Sequence, residues 1–443
     1  MLARRAPRPE PDWTQLLEFD RGHVWHPYAP LPAAYAPRPV VGAEGTRLRL
    51  ADGAELIDAM ASWWSVIHGH RHPAIVAALR EQVDELPHVM FGGLTHEPAI
   101  RLAERLAAIA PAGLDRVFFA DSGSVSVEVA LKLCIQFWNG NGEERTRMLA
   151  LRGGYHGDTA GAMALCDPEQ GMHRMYADAL PQHVFAPRPP AGFEAPLDPD
   201  WAAEVERLFE RHGGELAGAF VEPVAQGAGG MWFYSPECLR FLREQCDRHG
   251  VLLVADEIAT NFGRTGALFA CEHAGVVPDV LCVGKSLTGG TLTLAAAIVG
   301  ERVAAAVGRS EPGALMHGPT FMANPLACAA ALASTELIEA GGWRRDVPRI
   351  EAGLAAALAP ARELPGVADV RALGAIGVIE MTDPVDVPRA ADAAAAEGVW
   401  LRPFGNLIYT MPPYVCTDQE IAQIGAAMLE AAADHRESAI TPK

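Results

Sequence analysis

Only three side chains in this 443-residue sequence end in a primary amine: Lys132, Lys285 and Lys443, the other 33 of its 36 basic residues (36 − 3) being Arg. A reaction in which an amine condenses with a carbonyl has those three candidates, because a guanidinium stays protonated. Lys285 follows Gly284 at the end of the apolar run Val280–Val283. A side chain there is accessible and can be stripped of water, which favours the neutral, nucleophilic amine; a solvated or ion-paired Lys is the plainer alternative. Lys132 stands four residues after Glu128 on the polar stripe Ser124, Glu128, Lys132, Gln136, a spacing that predicts an exposed ion pair on a helix. Lys443 is the last residue.

Other groups point to the same chemistry. Asp256 ends the run Val-Leu-Leu-Val-Ala, and a carboxylate in so apolar a setting needs a cation or hydrogen-bond donors to stay charged. A protonated pyridine nitrogen would serve; so would backbone amides or an Arg. Asp121-Ser-Gly-Ser124 lies between the run ending at Ala120 and a helix predicted from about Val125, so its N–H groups, hydroxyls and positive helix end suit a phosphate, or an ordinary cap. Tyr155 follows two glycines, which let the backbone approach a flat ligand beneath the ring; a tyrosine at the edge of the core would look the same. His68, His70 and His72 alternate, but Pro73 follows and no ligand spacing is completed, so no metal is expected. Amine, aspartate, phosphate seat and stacking ring jointly describe a pocket for pyridoxal 5′-phosphate, a cofactor that acts as an electron sink.

Each of these groups directly follows a short apolar run. Val117–Ala120, Met148–Leu151, Leu216–Val221, Val251–Ala255, Val280–Val283 and Leu294–Val299 are the continuously apolar pattern of strands buried on both faces. The amphipathic segments between them predict crossover helices and a parallel sheet, which binds ligands at the carboxyl ends of its strands. Five runs then deliver Asp121–Ser124, Arg152–Asp158, Glu222, the pair Asp256-Glu257 and Gly284-Lys285 to one edge. Helix ends are marked by Ser235-Pro236, by Gly250 after His249, and by Asn324-Pro325. Upstream, Thr46–Ala59 alternates around Asp52-Gly53, the signal of a hairpin. Downstream, the pattern predicts a helix (about 344–360), strands (about 367–381), a helix (about 388–397), strands (about 399–411) and a helix capped by Thr417-x-x-Glu420. The expectation is an α/β fold with a large domain, 67–330, around a mostly parallel central sheet, and a smaller α+β domain made from both chain ends, 1–66 and 331–443.

Charge and composition exclude other classes. With 55 acidic against 36 basic residues the net charge is −19, and no basic stripe is present to neutralise nucleic-acid phosphates. Eight cysteines without a C-x-x-C pair argue against a zinc or redox motif and for reduced thiols in a cytoplasm. The apolar stretch Leu292–Val299 is far short of the ~18 residues that span a bilayer, so no membrane partner is expected. Met1–Glu10 is basic and Pro-rich without the apolar centre of a signal peptide, and reads as a frayed tail.

Over nearly its whole length the chain resembles the class III aminotransferases, through DEIATNFGRTG (Asp256–Gly266) with VGK (Val283–Lys285). VWHPY (Val24–Tyr28), SWWSVIHGH (Ser62–His70), DSGSVSVEVALK (Asp121–Lys132), RGGYHGDT (Arg152–Thr159) and MHGPTFMANPLACAAA (Met316–Ala331) extend the likeness. The resemblance implies fold type I of the pyridoxal-phosphate-dependent transferases. It implies that Lys285 forms the imine with the cofactor and moves the proton, that Asp256 pairs with the pyridine nitrogen, and that Tyr155 covers the ring. Gly123 and Ser124 would hold the phosphate, joined by Pro319 and Thr320 from the other subunit of a homodimer. Tyr28, Trp63, Trp64 and Gly318 would wall the substrate pocket, Asp158 would lie near the amino donor, and Arg402, with Arg264, would take a substrate carboxylate. The implied activity is ping-pong transfer of an amino group from S-adenosyl-L-methionine to 8-amino-7-oxononanoate, giving 7,8-diaminononanoate in biotin biosynthesis. The nearest rivals are an ω-amino acid transaminase and a glutamate-semialdehyde-type aminomutase. Asn261 stands where the family usually has Gly, and Asn tolerates the left-handed backbone such a turn would need.

Overall fold

In a computed structural model, which describes residues 11–169 and 171–440, the apolar runs become the strands of one sheet. The expectations for Met1–Glu10 and Lys443 lie outside the described residues. The strands are β1 (Arg116–Ala120), β2 (Arg147–Leu151), β3 (Val184–Ala186), β4 (Leu216–Val221), β5 (Leu252–Asp256), β6 (Val280–Val283) and β7 (Ala295–Val299), in spatial order β1-β7-β6-β5-β4-β2-β3. Alternate residues go to opposite sides, the period-two consequence of the pleat. Val254, Val280, Cys282 and Ala297 join one buried cluster with the helix Gly123–Gly140, while Leu253, Leu281, Val283 and Ala296 join the other. Burial on both faces is why these runs carry no polar residue until they end.

Six strands point one way; β7 alone is antiparallel to both neighbours, β1 and β6. The segment between β6 and β7 holds a single short 3₁₀ turn, Lys285–Thr288, and so lacks the crossover that a parallel return requires. All strand ends named above, together with the start of β7, therefore meet along one edge. There Thr293 Oγ1 donates to Asp121 O.

A four-stranded sheet outside this core joins the two halves of the sequence. Val40–Glu44, Arg47–Leu50 and Glu55–Asp58 form an antiparallel meander, and Val399–Trp400 adds parallel to Glu55–Asp58. The hairpin turn falls at Asp52-Gly53, with Gly53 at φ +89°. Val367–Leu373, Ile376–Met381 and Leu407–Thr410 make a second, antiparallel sheet. Helices Trp343–Leu358, Val387–Ala396 and Asp418–Ile440 accompany it, the last opened by the Thr417/Glu420 capping box.

The polar stripe of helix Gly123–Gly140 departs from its spacing. Glu128 accepts the Gly161 N–H (2.7 Å), while Lys132 Nζ donates to Met316 O (2.9 Å) and lies 3.1 Å from His317 Nδ1. The expected Glu128–Lys132 pair gives way because Glu128 finds its partner in the short helix Ala160–Ala164 and Lys132 finds its own in the segment at Met316-His317.

Candidate active site

At the common strand edge lies a cavity of about 520 Å³. Lys285, Asp256, Tyr155, Gly123 and Ser124 all line it, as do Tyr28, Trp63, Trp64, Asp158 and Arg402. Its chemistry divides into a polar floor and an aromatic wall.

Asp256 closes β5 with its carboxylate inside the protein, 5 % exposed. Oδ1 accepts the Ile258 N–H (3.2 Å) and Oδ2 lies 2.8 Å from His156 Nδ1. A carboxylate can only accept, so Nδ1 carries the hydrogen, and His156, itself buried, fixes the rotamer of Asp256. Burial opposes a charge on His156, but the hydrogen bond and charge of Asp256, with Glu222 beyond, outweigh it and raise the imidazole's pKa. Glu222 follows β4 and holds the floor from below, accepting the N–H groups of Tyr155 and Gly227 (both 3.0 Å). Burial, with the charge of Asp256, pushes its carboxyl up to about 7 against the opposing pull of His156. Burial likewise lowers the pKa of Lys285, against the attraction of Asp256, Glu222 and Asp158, which favours the unprotonated amine.

At the end of β1 stands the segment expected to seat an anion. Ser122 caps the helix Gly123–Gly140 by accepting the Val125 N–H (3.3 Å), and the first-turn amides of Gly123 and Ser124 have no partner within the helix. Ser124 Oγ accepts the Asp158 N–H (3.1 Å), drawing the Tyr155–Asp158 loop against the seat. Gly157, at φ +131°, permits that approach: a Cβ there would stand 2.3 Å from Ser124 Oγ.

On the wall, Tyr155 and Tyr28 both donate to Asp158, at 2.9 and 3.3 Å. Trp63 and Trp64 come from a turn in which Ala61, Ser62, Trp63 and Trp64 are all left-handed (φ +40°, +43°, +61° and +75°). Buried Asp58 braces it, accepting from Met60 N (3.2 Å) and Ser62 Oγ (2.7 Å) and pairing with His70 Nε2 (2.8 Å). Arg402 stands at the mouth beside Pro403 and Phe404, and among the described residues no acidic side chain pairs with it.

Several expected residues lie elsewhere. Arg264 does not line the cavity. It is 1 % exposed, its Nη1 donates to the carbonyls of Ala375 (3.0 Å) and Pro412 (2.8 Å), and its guanidinium sits over the Tyr414 ring, so it joins the aromatic wall to the second sheet from behind. Gly318, Pro319 and Thr320 are outside this chain's cavity, on a partly exposed segment that Lys132 holds at Met316. Asn261 is not left-handed; Phe262 (φ +54°) and Gly263 (φ +98°) take that conformation instead. His68 and His70 bond to Ser334 and Asp58, and no group of three metal-ligating side chains occurs among the described residues.

Sequence reasoning passed over His156 and the wall residues Met172, Met231 and Tyr409. The signal for His156 was its place in RGGYHGD, directly after a strand that ends at the ligand edge.

Residues 31–432 match the family model of the class-III aminotransferases. The chain belongs to that family. It is 52 % identical over 425 residues to the adenosylmethionine-8-amino-7-oxononanoate aminotransferase of Mycobacterium leprae, covering 94 % of this chain and 97 % of that one. A protein of the same name from Saccharomyces cerevisiae is 39 % identical, covering 95 % and 96 %. Among solved structures, the Methanocaldococcus jannaschii protein of that name superposes with a TM-score of 0.88 at 29 % identity, covering 96 % and 100 %. An amine transaminase from an uncultivated Pseudomonas species, in its PLP-bound internal aldimine form, gives 0.84 at 33 %, covering 93 % and 99 %. This class-III aminotransferase thus shares the α/β fold of those solved transaminases over 93–96 % of its length.

Proposed function

We propose that this aminotransferase, with pyridoxal phosphate as its cofactor, moves the amino group of S-adenosyl-L-methionine to 8-amino-7-oxononanoate, a step of biotin synthesis. The donor set suits the cofactor: a helix N-terminus for its phosphate, a fixed carboxylate for its pyridinium, a desolvated amine for its aldehyde and a tyrosine for its ring. When bound, the cofactor supplies the electron sink that makes the substrate's Cα–H acidic.

The protein's residues do the rest. Asp256, aimed by His156, would hold the cofactor's pyridine nitrogen in its protonated form. Lys285, its amine favoured in the neutral form by burial, would bear the cofactor's aldehyde and serve as the base that moves the substrate's Cα proton. Tyr155 and the tryptophans exclude water from the ring face. The observation that carries the substrate reading is the wall itself: Tyr28, Trp63 and Trp64 offer ring faces to a sulfonium and to a methylene chain alike, while unpaired Arg402 at the mouth awaits a carboxylate.

A homodimer completes the site in this reading. Met90, Met316 and Phe321 are exposed large apolar residues near Gly318–Thr320, which suits contact with a second copy that receives those residues at its phosphate seat. The eight cysteines are free and buried, and among the described residues no helix is long and apolar enough to cross a membrane; both fit a cytoplasmic enzyme.

A spectral titration tests the assignment. Adding S-adenosyl-L-methionine to the holoprotein should convert the lysine-bound cofactor band to the pyridoxamine form. Conversion by simple ω-amines and not by S-adenosyl-L-methionine would overturn the substrate and leave the family.

A further inference from the structure

Lys285 is not a glycine, yet its backbone is left-handed at φ +46°. Such residues keep that conformation only where the surroundings fix them. A single side chain does so here from both flanks. Asn261, 1 % exposed, donates from Nδ2 to Gly284 O (3.2 Å) and accepts at Oδ1 from Ser286 Oγ (2.6 Å). One amide thus grips the residue before the lysine and the residue after it. Asn261 is itself anchored, its N–H donating to Glu257 O (2.9 Å), and so ties the turn to the segment that directly follows Asp256.

We propose that Asn261 is a positioning residue for the transamination: its amide holds the Lys285 turn in register with the end of β5, so that the amine and the Asp256 carboxylate face one ligand at constant separation. This rests on Lys285 being the amine that bears the cofactor. Glycine at 261 removes both hydrogen bonds. Aspartate keeps the acceptor for Ser286 and sets a second oxygen against Gly284 O. The turn's own bond, Leu287 N to Gly284 O (3.1 Å), survives either change, so the fold has a means to persist while the lysine loosens.

Holoenzymes of N261G, N261D, S286A and the N261G/S286A double variant are compared with the native protein in kcat, donor KM, melting temperature and the pH midpoint of the lysine-bound cofactor band. For N261G, kcat should fall about tenfold with KM within about twofold, and the midpoint should move by about half a pH unit. N261D should show the same pattern, and S286A a smaller change in the same direction. The double variant should match N261G, because the two residues act through one bond. A lower melting temperature with kcat and midpoint unchanged assigns the amide to stability alone and overturns the proposal, as does full additivity in the double variant. If N261G does not fold, S286A carries the test with the same two readouts. Lys285→Ala separates the underlying reading: a cofactor band that persists in it shows that another amine is used, whatever Asn261 does.

Discussion

Among the non-glycine residues held in the left-handed region at this cavity, Lys285 and the turn Ala61–Trp64 are held there differently. At Lys285 one residue is left-handed, within the core, and a neutral amide grips both of its flanks. At Ala61–Trp64 four consecutive residues are left-handed, the brace is the charged carboxylate of Asp58, and the turn ends in a half-open wall where Trp63 is 42 % exposed. A left-handed residue with a Cβ costs about 1–2 kcal/mol, so the second turn stores several times the strain of the first. Lys285 is thus set by the central sheet, whereas the tryptophan turn is set by the peripheral four-stranded sheet, under greater strain and through a buried carboxylate.

That contrast can be broken from the strained side. Asp58→Ala strands His70 and frees Ser62, and losing three hydrogen bonds to one buried carboxylate costs about 3–5 kcal/mol. Denaturant melts should show the loss, and donor KM should rise while the cofactor band keeps its position; a shifted band would mean that the two turns are not separable.

Acid should act on the lysine side. His68 Nε2 meets Ser334 Oγ (3.0 Å), which in turn donates to Ser286 O (3.2 Å) beside Lys285. Burial, with the neighbouring His72, lowers the His68 pKa to about 4 from 6.5. Between those values the unfolded chain binds the extra proton, so this contribution is complete above pH 6.5 and is lost as pH falls toward 4, in total about 1–3 kcal/mol. Melting temperatures from pH 7 to pH 4.5 should fall less steeply in His68→Gln; an unchanged slope counts against the linkage.

The smallest effect sharpens the strain comparison. Ala61→Gly relieves one left-handed position, φ +40°, and should leave stability unchanged or raise it by about 1 kcal/mol, read in the same melts. A clear destabilisation would show that the turn is not strained at its first residue.

The strand-end residues Lys285, Asp256, Ser124 and Tyr155 were legible because each follows an apolar run, and an apolar run that stops at a polar residue marks both the strand and its ligand edge. The antiparallel sense of β7 was not legible, since a strand buried on both faces reads identically in either direction. His156 escaped notice, and Asn261 read only as a turn residue, because their partners are remote in sequence: Asp256 stands 100 positions from one, Gly284 stands 23 from the other. Lys132 misled for a related reason, its charge being met by a carbonyl group that no local spacing reveals.

The pairing of Glu55–Asp58 with Val399–Trp400 has a consequence for biosynthesis. Asp58, the brace of the tryptophan turn, sits opposite Trp400 in that ladder. While a ribosome is still making the chain, the central strands can emerge and dock in sequence, but this edge stays open until residue 400 has left the exit tunnel. The tryptophan wall is accordingly among the last parts to set, and a nascent chain stalled earlier would carry the polar floor of the cavity without its finished aromatic wall.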